Sequence, residues 1–389
     1  MIYLDNAATT KPLHISFDDI NKMWGNPSSL HAKGQASAGC IKHWTEELIN
    51  CLFKDESARD EYEVIFTSGG SESDCLAILG LRYNKDKKHI ITSCIEHKAV
   101  LNACRELEKH FGFRITYLPV DKSGFVNPAD VVSAITDNTC LVSIMAVNNE
   151  IGSIQPIDEI ANICRNKNII FHTDAVQSNF HRFYDGVDMI SLSGHKFHSI
   201  KGIGCLIKKK NISLEPIIYG GSQQNGLRAG TENVYGIVNM CMNYKYYSEN
   251  KEKIEENLIE CGNFIKNNLL QDERVSLNAQ FEYEQKRDFT PNILSFKMRD
   301  IPSDALEIIL SSKGICISTN SACNSKSLTT SHVLTNIGLS KEEALSTIRI
   351  SLPPDIDGVG ISKPILANAI EIIIESMDML DKIFKNNRG

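Results

Sequence analysis

Residues 169–207 read IIFHTDAVQSNFHRFYDGVDMISLSGHKFHSIKGIGCLI, and this stretch decides the fold class. It holds three short apolar runs, Ile169–Thr173, Met189–Leu192 and Gly204–Ile207, punctuated by Gly, Asp and Lys. Runs of this length, rich in β-branched residues, read as buried strands. Working outward, Glu63–Thr67, His89–Ser93, Arg114–Leu118 and Cys140–Met145 have the same texture. Between most of them lie amphipathic patterns at helical spacing, such as Val100–His110 and Ile157–Lys167. Strand–helix alternation of this kind predicts an α/β fold with a mostly parallel sheet. The strands are apolar runs rather than strict alternations, as expected where both faces are covered.

The texture changes after Met242. A charged segment, Asn243–Asn267, reads as one long helix, weakened only by Gly262. Ile293–Phe296 reads as a strand, Ser303–Ser311 as a helix, Ile315–Ser318 as a strand and about Lys363–Phe384 as a final helix. This is a smaller α+β unit, and it contains a polar loop, Ser318–Ser331, rich in Ser, Thr and Asn.

A chain of 389 residues has room for two domains and a core that needs no disulfides or metals. Lys plus Arg is 41 and Asp plus Glu is 48, so the formal charge is -7. That balance argues against a non-specific nucleic-acid binder, which is normally basic. No apolar run reaches the roughly 18 residues of a membrane-spanning helix, and the N-terminal sequence lacks the pattern of a signal peptide. A cytoplasmic location is the expectation. The 12 cysteines are scattered, with no Cys-x-x-Cys and no His-Glu-x-x-His, so zinc-ligand spacing is absent. Most read as small buried hydrophobes in a reducing compartment.

Five segments could carry chemistry. Asp174 ends an apolar strand, where ligands of α/β sheets bind; an isolated Asp there reads equally as a cap for the next helix. Lys196, in Ser191-Leu-Ser-Gly-His-Lys196, lies between two apolar strands. A lysine at such an interior rim has a depressed pKa and can form a Schiff base. An Asp and a Schiff-base Lys together are what pyridoxal phosphate requires. Phe66-Thr-Ser-Gly-Gly-Ser-Glu72 is a strand, two glycines and a helix start, which can bind phosphate through backbone N–H groups. His97, just after a strand, could stack on an aromatic cofactor or be a plain loop histidine. Cys323, in Ser321-Ala-Cys323-Asn-Ser, sits in a polar loop, where a reactive thiol belongs.

These motifs do not stand alone. Tyr3-Leu-Asp-Asn-Ala-Ala-Thr-Thr10, Gly25-Asn-Pro-Ser-Ser-Leu-His31, Phe66–Glu72, Glu96-His-Lys-Ala-Val100, Asn148-Asn-Glu-Ile-Gly152, Asp174-Ala-Val-Gln177, Ser193-Gly-His-Lys196, Gly226-Leu-Arg-Ala-Gly-Thr231 and Ser321-Ala-Cys323 occur in order. Together they resemble the cysteine desulfurases of class V of the pyridoxal-phosphate aminotransferase superfamily, from about residue 2 to 352. The resemblance implies a pyridoxal-phosphate transferase fold of type I. Its large cofactor-binding domain would be 15–243. A small α+β domain, 1–14 with 244–389, would carry the cysteine loop. It implies Lys196 as the covalent anchor of the cofactor, Asp174 at the pyridine nitrogen, and His97 as stacking and acid/base residue. Gln177 and Asn149 would lie at the ring hydroxyl or its surroundings. Gly70, Ser71, Ser193 and His195 would bind the phosphate. Thr231 would reach the phosphate of a second subunit, which implies a homodimer. Arg349 and Asn26 would contact the substrate carboxylate, for which an arginine fork is suited. Cys323 would take sulfur from L-cysteine as a persulfide and pass it to an acceptor protein, with no direct nucleic-acid or membrane partner.

The distance from Cys323 to His332-Val-Leu resembles the long-loop group that serves iron–sulfur assembly and tRNA thiolation. Ser199-Ile-Lys-Gly202, Cys75, Pro353-Pro354, a short Thr10–Trp24 segment and an end at Asn387-Arg-Gly389 depart from the usual pattern. They suit a specialised member, for instance one serving DNA sulfur modification. The rival readings are a selenocysteine lyase or another class V enzyme, and a non-catalytic sulfur-transfer scaffold. Lys196, Asp174, His97 and Cys323 together argue against the scaffold.

Overall fold

The computed structural model describes residues 1–13, 21–178, 184–279, 289–319, 330–355 and 360–386. Cys323 lies outside them.

Seven strands form one sheet: β2 Tyr62–Thr67, β3 His89–Ser93, β4 Arg114–Leu118, β5 Thr139–Ser143, β6 Ile170–Asp174, β7 Met189–Ser193 and β8 Gly204–Lys209. Their order is β2-β8-β7-β6-β5-β3-β4. Only β8 runs against the others, pairing antiparallel with both β2 and β7. The mostly parallel α/β sheet expected from the sequence is therefore present. Strands β3, β5 and β7 are buried along their whole length, because helices cover both faces. One of these helices is Lys98–Phe111, whose apolar residues Val100, Leu101, Cys104 and Leu107 face inward. It stops at Gly112, whose φ of 71° the absence of a Cβ permits.

A second sheet is antiparallel, in the order β12-β13-β10-β9. Its strands are β9 Val275–Leu277, β10 Ile293–Met298, β12 Ser318–Thr319 and β13 Thr347–Ser351. The chain start belongs beside it. Strand β1, Ile2–Tyr3, pairs with β11, Ile315–Cys316, and Asp5 bridges to Ser351.

Two elements differ from the sequence reading, and the first is the strand read over Ile315–Ser318, which is split between β11 and β12 in different sheets. Second, instead of a single helix over Asn243–Asn267, the structure has Val234–Glu249 and Lys251–Leu269, broken at Asn250. Asn250 sits at φ -110°, ψ 12° and turns its side-chain amide back to Tyr246 O. Such local bonding competes with helix continuation. The first helix begins earlier because Asn233 caps it, accepting from Gly236 N at 3.0 Å. Among the described residues, no helix is long and apolar enough to cross a membrane. Of the 11 described cysteines, 6 are buried and all are free thiols.

Candidate active site

The strands β2, β3, β5, β6 and β7 run the same way, and the segments at their carboxyl ends carry Gly70, Ser71, His97, Asn149, Asp174, Gln177, Ser193, His195 and Lys196. Strand β7 ends at Ser193 and enters a single tight turn, Gly194–Lys196. Gly194 is required there, since a Cβ would lie 2.9 Å from Ser199 Cβ and 3.0 Å from Ile203 Cγ2. Phe197 is fully buried, edge-on to Tyr244, and anchors the turn beside the lysine. His198 adopts φ 63°, a strained value for a side-chain-bearing residue. Thr10 Oγ1 holds it, accepting from His198 N at 2.7 Å.

Lys196 Nζ donates to Ala7 O at 2.5 Å and Ala8 O at 3.0 Å. Burial pushes its pKa down to about 8; the Arg349 charge adds to this, and Asp174 and Asp5 oppose it. Asp174 is buried at the end of β6, and its Oδ1 accepts from Val176 N at 3.0 Å. Desolvation raises its pKa against the pull of His97 and Lys196. His97 caps helix Lys98–Phe111 through Nδ1, which accepts from Ala99 N at 3.2 Å. Desolvation in the pocket lowers its pKa, with Asp174 acting the other way and Lys196 adding to it. Lysine, aspartate and histidine thus share one electrostatic site.

Gly70 opens the helix Gly70–Leu79, and its N-cap, Gly69, has no side chain to satisfy the first-turn N–H groups. A Cβ on Gly70 would meet Val176 Cγ2 at 2.6 Å and Ser193 Cβ at 3.3 Å. Ser71 is exposed beside it. The Ser193 hydroxyl is therefore placed at a helix N-terminus, and His195 Nδ1 lies 3.2 Å from Thr9 Oγ1 on the chain start. Gln177 Nε2 donates to Ala7 O at 2.8 Å, the same carbonyl that receives Lys196. Arg349, on β13, donates from Nη1 to Asn149 O at 2.9 Å and from Nη2 to Asp5 Oδ1 at 2.8 Å. Asn26 is exposed, with its side chain turned onto Ser28 N in its own loop. Thr231 is exposed ahead of helix Val234–Glu249.

The sequence reading missed a buried polar layer under this site. His172 is fully buried between Ser143 Oγ at 2.8 Å and Ser191 Oγ at 2.9 Å. Burial drops its pKa to about 3, so it is neutral. Asp74 Oδ1 is 3.8 Å from His172 Nε2, but desolvation and the nearby Asp174 push the Asp74 pKa well up. With His172 neutral, that contact is not an ion pair. Glu96 is fully buried, with Oε1 accepting from Ser93 Oγ at 2.6 Å and Met145 N at 3.1 Å. Burial raises its pKa to about 8. The available signal was a polar residue inside an apolar run, as His172 is in IIFHTD.

The chain was compared with known proteins. Residues 2–359 match the family Aminotransferase class-V. A cysteine desulfurase IscS of Clostridium botulinum is 39% identical over 398 residues, covering 100% of this chain and 95% of the relative. One from Methanosarcina thermophila is 41% identical over 361 residues, covering 90% and 87%. Among solved structures, a NifS-like protein superposes with a TM-score of 0.85 at 31% identity, covering 97% of this chain and 100% of that one. SspA in complex with cysteine gives 0.76 at 36% identity, covering 91% and 99%.

Proposed function

The chain belongs to the aminotransferase class-V family and is a cysteine desulfurase, and from that premise we propose how its residues divide the work. Membership implies pyridoxal 5'-phosphate. Three features of the pocket support that fit. Asp174 is a buried carboxylate with a raised pKa, which a protonated ring nitrogen would relieve. The uncapped start of helix Gly70–Leu79 faces the Ser193 hydroxyl, a setting suited to a phosphate. Lys196 carries a depressed pKa that leaves part of its amine unprotonated near neutral pH.

We assign Lys196 as the covalent anchor, Asp174 as the partner of the ring nitrogen and His97 as the residue over the ring. Gly70, Ser71, Ser193 and His195 are assigned to the phosphate, with Gln177 and Asn149 beside the ring. When bound, the cofactor supplies an electron sink for negative charge at the substrate α-carbon. Arg349 orients the substrate by its carboxylate, aided by Asn26. The free amine of Lys196 takes the α-proton, and the carbonyls of Ala7 and Ala8 receive its N–H groups. The Cys323 thiolate attacks the substrate sulfur: an S–S bond forms, the carbon–sulfur bond breaks, and alanine leaves after the carbon takes up a proton. The persulfide then passes to an acceptor protein. Thr231 completes the phosphate site of a second copy, making the working unit a homodimer.

The observation that carries this reading is the convergence of Lys196, Asp174 and His97 at the carboxyl ends of β7, β6 and β3. The test is release of alanine and sulfide from L-cysteine with dithiothreitol. Wild type releases both, whereas Cys323→Ala keeps the bound cofactor and releases neither. Cofactor-loaded wild type that forms no alanine would overturn the assignment.

A further inference from the structure

We propose that Asp5 is the positioning residue for Arg349, fixing the plane of its guanidinium and leaving Nε, its one nitrogen unpartnered among the described residues, for a substrate carboxylate. This rests on the reading that Arg349 receives that carboxylate. Three observations lead to it.

Arg349 starts from a rigid place. It pairs with Ser295 on one side and Ser318 on the other, at the centre of its sheet. The side chain beyond that is long and rotatable, and holding a guanidinium requires partners at its edges. Two edges are held, by Asn149 O at 2.9 Å and by Asp5 Oδ1 at 2.8 Å. The third nitrogen, Nε, is buried and has no hydrogen-bond partner among the described residues. A buried N–H of a charged group without a partner is costly, and an incoming carboxylate oxygen would satisfy it.

Asp5 is itself fixed by backbone. It bridges to Ser351, and Asn6 N and Ala7 N donate to Ser351 O and Oγ at 3.2 and 2.9 Å. Ser351 N donates back to Leu4 O at 2.8 Å. The Arg349 and Asp5 side chains are only 8% and 19% exposed, so solvent screens the pair weakly. Asn149 offers a neutral carbonyl, whereas Asp5 offers a carboxylate and so an ion pair, the stronger of the two. Asp5 is therefore the partner whose loss frees the guanidinium.

The experiment uses cofactor-loaded Asp5→Ala, Asp5→Asn and Arg349→Ala. It reads KM and kcat for L-cysteine, and the dissociation constants of L-alanine and L-alaninamide from the shift of the cofactor absorption band. Alaninamide has the shape of alanine without the charged carboxylate. Asp5→Ala raises KM and the alanine constant about ten-fold. It moves kcat and the alaninamide constant by less than about three-fold, because only carboxylate recognition is lost. Asp5→Asn, whose amide oxygen still accepts from Nη2, falls between and decides the matter if Asp5→Ala does not fold. Asp5 variants that weaken alanine and alaninamide equally, or neither, overturn the proposal. If Arg349→Ala leaves KM unchanged, the carboxylate reading itself fails. If Arg349→Ala raises KM and Asp5→Ala does not, only the role of Asp5 falls.

Discussion

At the scale of single residues, the site is set by what burial does to charge. Glu96 has a pKa raised to about 8 by burial, against an ordinary 4.5. The folded chain therefore keeps a proton that the unfolded chain releases above about 4.5. Its contribution to stability is complete below that pH and is lost as pH rises toward 8. Glu96→Gln keeps an acceptor for Ser93 and Met145 without this titration. Chemical denaturation at pH 5 and pH 8 should therefore show wild type losing on the order of a few kcal/mol more than Glu96→Gln between the two. Lys196 titrates the other way, its amine pushed down to about 8 by burial and then by the Arg349 charge. Only the free amine condenses with an aldehyde, so uptake of pyridoxal phosphate by cofactor-free protein should accelerate as pH rises through about 8. Arg349→Gln removes a cation and should move that inflection upward; an unchanged inflection would deny the coupling. Lys196 and Asp174 were legible in sequence because Asp174 ends an apolar strand and Lys196 follows one. The burial of Asp74 and Glu96 was not, because nothing in a linear pattern marks a carboxyl as buried.

At the scale of elements, strands were the easy part, since short apolar runs leave few alternatives. The break at Asn250 was not legible, because asparagine mid-helix and asparagine at a break look alike until its side chain is seen on Tyr246 O. Glycines show the same limit. Gly112 and Gly204 both border regular elements, yet they answer to different constraints. A Cβ on Gly112 meets nothing within 4 Å, and only its φ of 71° resists substitution. Gly112→Ala should cost about 1 kcal/mol in denaturant stability and leave the site alone. A Cβ on Gly204 would sit 2.6 Å from Gly69 Cα and 2.6 Å from Leu192 O. Gly204→Ala must therefore push the Gly69–Gly70 turn aside. Equilibrium dialysis should show weaker retention of pyridoxal phosphate in Gly204→Ala and none of that loss in Gly112→Ala. Equal retention in both would mean that the turn does not hold the phosphate. The departure at Ser199 also has a local account: its hydroxyl donates to Asn239 Oδ1 at 2.7 Å and ties the lysine turn to helix Val234–Glu249.

At the scale of the whole molecule, the two sheets meet at the chain start. Residues 5–10 touch Ser351 on one side and His195, Lys196 and His198 on the other. The Tyr3–Thr10 motif was visible in the sequence, but its contacts with the site and with Ser351 lie 170 to 345 residues away, and no local pattern encodes such distances. The segment therefore works as a common wall: Asp5 faces the arginine, and the Ala7 and Ala8 carbonyls face the lysine. Ser351 is its attachment, since its Oγ accepts from Ala7 N in a buried setting. Removing that acceptor leaves a buried N–H unpaired, a loss of roughly 1–3 kcal/mol. Ser351→Ala should lose that much denaturant stability, and it should also slow cofactor uptake and raise KM for L-cysteine together, because one shifted segment serves both groups. Ser351→Thr, which keeps the oxygen, should recover most of both effects. Were stability to fall while uptake and KM stayed at wild-type values, the segment would be a tether for the fold and not a wall of the site.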